Sequence, residues 1–154
     1  MTNQGPQVSS DLIAKFETEF QVLIPRALVE FWVTYGNGGY PDADPCKVPI
    51  PTSYSDEEYS LVHGVYGVYH LTDYFSLGLA TTILPTSLDV LPFAYDEGTG
   101  TFVVSTSDLD NGRVYHLWLD ELEGITREKL TYIAESPLEM IDKFLIPASE
   151  LEQE

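Results

Sequence analysis

Residues 24–41 run Ile24-Pro25-Arg26-Ala27-Leu28-Val29-Glu30-Phe31-Trp32-Val33-Thr34-Tyr35-Gly36-Asn37-Gly38-Gly39-Tyr40-Pro41. Pro25 suits the first position of a helix, where a missing N–H costs nothing. Leu28, Phe31, Trp32 and Tyr35 follow at i, i+3, i+4 and i+7, which is one apolar face of a helix. Gly36-Asn37-Gly38-Gly39 then ends it with residues that tolerate positive φ. The stretch predicts a helix with Leu28, Phe31, Trp32 and Tyr35 largely buried, left through a sharp glycine exit. It is no phosphate loop, because the glycines follow a helix and no Lys-Ser or Lys-Thr comes after them.

Outward from this helix, the elements predict an α+β domain. A first helix is expected from Ser10 or Asp11 to about Phe20, with Leu12, Ile13, Phe16 and Phe20 on one face. Four prolines between Tyr40 and Tyr54 favour loop, with a short edge strand near Lys47 to Ile50. Leu61 to Leu71 reads as a strand, bulged or closely approached at Gly64 and Gly67. Thr72 can cap a short helix lined by Phe75, Leu79 and Ile83. Strands are expected at Val90 to Ala94, Thr101 to Ser105 and Arg113 to Leu119, with a further short one at Leu130 to Ala134. Asn111-Gly112 suits a type I′ turn. Ser136 opens a last helix with Pro137 at its first position and a capping box to Glu139; Leu138, Ile141, Phe144 and Leu145 form its stripe and Pro147 ends it. The expected architecture is an antiparallel meander sheet with N-terminal and C-terminal helices packed against it. Residues 1–8 are expected to be a frayed tail, 9–146 a single domain and 147–154 an acidic tail.

Four segments in order resemble the SUKH superfamily, the Smi–Knr cell-wall-regulator and immunity-protein group. The Ile24–Gly39 stretch resembles its "LP…F…NGG" signature, with Ile24 in place of the usual Leu. Leu91-Pro92-Phe93-Ala94-Tyr95-Asp96-Glu97-Gly98 is similar to "hPhA-D-x-G", where h is apolar. Gly112-Arg113-Val114-Tyr115-His116-Leu117-Trp118 is similar to "G-x-V-Y-x-W" with one extra residue before the Trp. The segment from Ser136 to Leu145 resembles the closing "S-F-x-E-F-L-x-x-L" helix, with Leu138 for Phe. The resemblance spans roughly residues 10 to 146 and implies the same α+β architecture. It marks Pro25, Phe31, Asn37, Gly38, Gly39, Pro92, Gly112 and Trp118 as structural signature positions and specifies no catalytic residues.

Charge is the second strong feature. Twenty-five acids face seven Lys and Arg, a net charge of −18. Between Val48 and Gly112 there is no Lys or Arg, while Asp56, Glu57, Glu58, Asp73, Asp89, Asp96, Glu97, Asp108 and Asp110 all fall there. Such a field repels nucleic acid and anionic membranes and draws in cationic partners. Solubility alone is the alternative reading of the same acids. No apolar run approaches the roughly 18 residues of a membrane span, and the N-terminus has no signal-peptide pattern. Cys46 is the only cysteine, which allows no internal disulfide and fits a reducing cytoplasm.

The sequence offers little chemistry. His63, His70 and His116 share no zinc spacing. Asp108-Leu109-Asp110-Asn111-Gly112 puts its glycine fifth where a calcium loop needs it sixth, and Leu119 stands where the bidentate acid belongs. Asp56-Glu57-Glu58 and Asp96-Glu97 are expected on solvated tips, where nothing tunes a general acid. On the strand from Arg113 to Leu119, Tyr115, Leu117 and Leu119 share one face and Val114, His116 and Trp118 the other. If the first face meets the helices, Trp118 lies near the outer face, either as a binding anchor or as a structural Trp under the Tyr40 to Tyr54 loop.

These features predict a non-enzymatic, cytoplasmic protein-binding domain with no cofactor and no metal. The resemblance implies an immunity protein that neutralises a toxin domain, and the charge favours a basic nuclease toxin. Asp56, Glu57, Glu58, Asp96, Glu97, Asp108 and Asp110 are the candidate contact charges, and Tyr54, Tyr59 and Trp118 the candidate apolar anchors. The tips would act together if the meander brings them to one end of the sheet. The alternatives are a scaffold or regulator in cell-wall or signalling assembly and, more remotely, a small hydrolase.

Overall fold

The computed structural model describes residues 5–39, 47–49, 59–69, 77, 88–96, 100–118 and 126–144. Helix α1 covers Ser10–Phe20, capped where Ser9 Oγ accepts the N–H of Leu12 at 3.2 Å. It ends at Gln21 in the left-handed region, φ 53°. Phe16 is buried, and Leu12, Ile13 and Phe20 pack beside it, as the spacing predicts. Helix α2 covers Arg26–Tyr35, with Pro25 one position earlier than expected, at the N-cap. Leu28, Phe31 and Trp32 are buried. Tyr35 is only half-buried, and its hydroxyl donates to Asp142 at 3.4 Å.

Strands β1 (Lys47–Pro49), β2 (Tyr59–Val65), β3 (Val90–Asp96), β4 (Gly100–Ser105), β5 (Val114–Trp118) and β6 (Thr131–Ala134) form one six-stranded sheet in chain order, antiparallel throughout. The expected α+β meander is present. The β2–β3 ladder is bulged between Val62 and Gly64, where a β-carbon on Gly64 would strike the Tyr95 ring at 2.4 Å. Helix α3 covers Pro137–Phe144. Ser136 Oγ accepts the N–H of Glu139 at 3.1 Å, while the Glu139 carboxylate reaches the N–H of Glu135 at 3.5 Å, one residue before the box partner. Its buried side includes Met140 and Ile141, with Leu138 partly buried. The proposed helix after Thr72, its Phe75, Leu79 and Ile83, and residues 145–154 lie outside the described residues, except that Leu77 is buried.

The Gly36–Gly39 exit explains how the helical layer meets the sheet. Gly36, Gly38 and Gly39 take φ 127°, 82° and 117°. A β-carbon on Gly38 would sit 2.8 Å from the Gly67 nitrogen, so the backbones touch where no side chain fits. Gly39 and Val65 exchange N–H···O bonds of 2.9 and 2.8 Å. Between them Asn37 is 3% exposed. Its Nδ2 donates to the carbonyls of Pro6 (2.8 Å) and Val68 (2.9 Å), and its Oδ1 accepts the N–H of Val68 (2.8 Å). Gly5 N–H adds a bond to the Asn37 carbonyl, and Val8 packs on the core. The segment expected to fray is therefore tied down from Gly5 onward.

The main core places Phe16, Leu28, Phe31 and Trp32 of the helices against Phe93, Phe102, Val104 and Val114 of the sheet. Register puts Phe102 beside His116 and Val104 beside Val114. The helices thus cover the Val114, His116 and Trp118 face, not the Tyr115 and Leu117 face. Tyr115 and Leu117 instead join Val90, Val103 and Leu130 in a second cluster on the opposite side. The 3-10 turn Arg127–Lys129 leads into it.

Candidate functional site at the two ends of the sheet

At the β4–β5 end the chain builds a side-chain clamp. Arg127 Nη2 donates to both Asp110 oxygens (2.9 and 2.7 Å) and to Ser105 Oγ (3.1 Å). Its Nη1 donates to the carbonyls of Leu88 (2.6 Å) and Asp89 (3.1 Å). Tyr115 donates its hydroxyl to Asp110 at 2.5 Å, and Ser105 Oγ also donates to Asp110. Burial pushes the Asp110 carboxyl up, but bonds from Ser105 and Tyr115 and the Arg127 charge outweigh it and hold it below the usual carboxylate range.

Asp110 is thus consumed inside the fold, its side chain 12% exposed, and is not a free contact charge. Breaking the pair by Arg127→Met should lower stability by about 2 kcal/mol, below the fully buried case because Arg127 keeps 31% exposure. The sign with pH follows from the depressed carboxyl. Its contribution is present above the unfolded value and is lost as pH falls through the lower folded value. Urea melts should show the wild-type advantage at pH 7 shrinking towards the acid limit of folding. An advantage that is absent at pH 7, or grows in acid, contradicts the clamp.

The opposite end of the sheet holds a second arrangement. Asp96 is the last residue of β3 and is 6% exposed. Its Oδ1 accepts the N–H of Gly100 at 3.0 Å, and its Oδ2 stands 3.5 Å from Nε2 of His116, itself 1% exposed. A β-carbon on Gly100 would lie 2.0 Å from Asp96 Oδ2 and 2.4 Å from His116 Nε2, so this glycine makes room for the pair. Phe102 and Trp118 meet the imidazole edge-on at 5.0 and 4.7 Å. His116 Nδ1 is buried with no hydrogen-bond partner among the described residues. At 1% exposure the imidazole is packed between these two rings. Asp96 therefore does not sit on a solvated tip, because its carboxylate turns inward onto the Gly100 N–H and His116.

The remaining sequence candidates divide as follows. Asp108 is exposed, while Trp118 is half-buried and packs on the main core. Tyr59 opens β2 at the same end as Asp96, since Pro49 pairs with Tyr59 and Val62 with Asp96. Tyr54, Asp56, Glu57, Glu58 and Glu97 lie outside the described residues. Asp96 borders Gly100 and Asp110 borders Ser105, so they stand at opposite ends of β4, roughly 17 Å apart at strand rise. The meander does not gather Asp96 with Asp110. Asn111 also departs from expectation: Gly112 alone of the pair has positive φ (90°), which excludes a type I′ turn there. Arg127 shows no site signal in sequence because its partner Asp110 lies 17 residues away, and Ser105 shows none because a lone serine five residues before an aspartate carries no motif. Among the described residues no group of three His, Cys, Asp or Glu is placed to hold a metal, and no helix is long and apolar enough to cross a membrane.

Residues 7–143 match the model of the SMI1 / KNR4 family (SUKH-1), and the chain belongs to that family. Membership supports a protein-interaction domain in a family that is generally non-enzymatic. No curated protein matches the chain.

Proposed function

We propose that the chain is an immunity protein that binds and neutralises a basic toxin domain, of the nuclease type. The observation that carries this reading is the span from Val48 to Gly112, with nine acids and no Lys or Arg. Nuclease surfaces that hold phosphates are basic, and an acidic binder is steered onto them and occupies the phosphate cleft. Asp56, Glu57, Glu58, Glu97 and Asp108 are the proposed contact charges, with Tyr54, Tyr59 and the exposed part of Trp118 as apolar neighbours. Asp96 and Asp110 leave the set because the fold uses them.

The test is co-purification with the product of the neighbouring gene, followed by association kinetics at two salt concentrations. Association should slow steeply as salt rises, because exposed charges are screened within roughly 8 Å at physiological ionic strength. Reversing Asp56, Glu57 and Glu58 to Lys should slow association about tenfold or more and leave dissociation nearly unchanged. Salt-independent association with full binding by that variant reduces the −18 charge to a matter of solubility. A partner drawn from wall-synthesis or signalling proteins makes the domain a scaffold instead.

A further inference from the structure

We propose that the Thr106–Gly112 loop is a preformed docking knob whose apex, Leu109, inserts into an apolar socket ringed by Lys or Arg on the partner protein. Leu109 is 95% exposed, more than Leu23 (77%), Val33 (69%) or Tyr132 (51%). Single exposed apolar side chains are ordinary on protein surfaces. Leu109 combines the highest of these exposures with a place at the apex of a loop that is fastened on both flanks. Ser107 Oγ accepts the N–H of Leu109 (3.3 Å) and Ser105 Oγ that of Ser107 (3.2 Å). Arg113 N–H donates to the Asp110 carbonyl (3.0 Å), Gly112 N–H to Ser105 (2.9 Å) and Thr106 N–H to Asp89 (2.8 Å). The Arg127–Asp110 clamp pins the loop on one side. On the other, Gly112 is so close to α2 that a β-carbon there would lie 3.0 Å from the Ala27 Cβ. A loop ordered before binding loses little conformational entropy on docking, which is how a single side chain becomes an anchor.

The charge around the knob indicates the socket's rim. Asp108 and Asp89 are exposed beside the loop, and Glu128 is exposed next to Arg127. Among the described side chains the neighbouring cations are engaged: Arg127 with Asp110 (2.7 Å), Arg113 with Glu135 (2.9 Å) and Arg26 with Glu30 (3.2 Å). The described surplus at this end is acidic, so a complementary rim is basic.

This inference rests on the proposed binding of a basic protein and adds a further apolar anchor, at the opposite end of the sheet from Tyr59 and Trp118. The probe is the purified C-terminal domain of the neighbouring gene's product, titrated against the full chain. Leu109→Ala should weaken the complex about tenfold through faster dissociation, with association nearly unchanged, since apolar anchors act on the off-rate. Asp108→Lys should slow association, and Leu23→Ala should change neither rate. The Leu109 side chain is exposed, so the variant should melt like wild type. No binding by the wild-type chain overturns the proposed function and this inference with it. Normal binding by Leu109→Ala overturns the knob alone, as does a loss confined to Leu23→Ala. If light scattering shows a wild-type dimer that Leu109→Ala converts to monomer, the occupant is a second copy and the knob reading fails.

Discussion

Phe31→Asp should abolish the native fold, giving a chain without a cooperative melt at 25 °C and without native near-ultraviolet signal. Phe31 is 1% exposed and lies at the centre of the main core. Its ring meets Phe93 of β3 edge-on at 5.8 Å and Tyr35 at 5.5 Å. It therefore joins the helical layer to the sheet. Replacing it removes about 3–5 kcal/mol of aromatic packing and places a carboxylate where nothing pairs with it. Against a typical total stability of about 5–15 kcal/mol, that loss leaves no margin. Phe31→Leu is the control. It keeps most of the apolar contact and should fold with a lower melting temperature. If Phe31→Asp melts like wild type, α2 does not face the sheet through this residue.

The helical stripe that makes this prediction was legible because it depends on spacing alone. A helix that must bury one side shows that side every three or four residues, and Leu28, Phe31 and Trp32 do so. The strands were legible for a similar reason, with turn residues between short β-rich runs. Which face of β5 meets the helices was not. Both faces carry apolar or aromatic side chains, since Val114, His116 and Trp118 oppose Tyr115 and Leu117, and both are covered in the fold. Alternation within one strand cannot choose between two covered faces. The choice is made by neighbours: Phe102 and Val104 stand beside His116 and Val114 and continue the face that holds Phe93 and Phe31.

The charged residues show a sharper limit. Asp96 and Asp110 both sit next to Gly- or Asn-rich turns, which in sequence terms means solvent. Each is instead taken up by a partner that spacing does not disclose: His116 for Asp96, 20 residues on, and Arg127 for Asp110, 17 residues on. One local signal was available. Gly100 follows Asp96 by four residues and opens β4, and a glycine at a strand can mark a place where another group comes close. Here that group is the Asp96 carboxylate itself. No comparable local mark accompanies Asp110. The acidic total remains a valid guide to a partner's sign, while the individual contact residues depend on which acids the fold leaves free.

Asn37→Leu should cost about 3–5 kcal/mol, even though it replaces a polar buried residue by an apolar one of similar size. The amide makes three hydrogen bonds to backbone: two donated, to Pro6 and Val68, and one accepted, from Val68. Val68 is fully buried, so neither its N–H nor its carbonyl gains water when the amide is lost. Two stranded backbone groups at about 1–3 kcal/mol each account for most of the loss. Asn37→Asp separates bonding from shape. A carboxylate keeps the acceptor for the Val68 N–H but turns its other oxygen towards two carbonyl oxygens. It should therefore destabilise about as much as Leu at neutral pH, and recover partly in acid as that oxygen gains a proton to donate. The neighbourhood permits no easy relaxation, since a β-carbon on Gly67 would already lie 2.3 Å from the Asn37 carbonyl oxygen. Chemical denaturation of both variants at pH 7 and pH 5 decides the matter. If Asn37→Leu is as stable as wild type, or Asn37→Asp is stable at pH 7 and weakens in acid, the amide does not clamp the helical layer to the end of β2. The asparagine of the glycine exit would then owe its place only to backbone conformation.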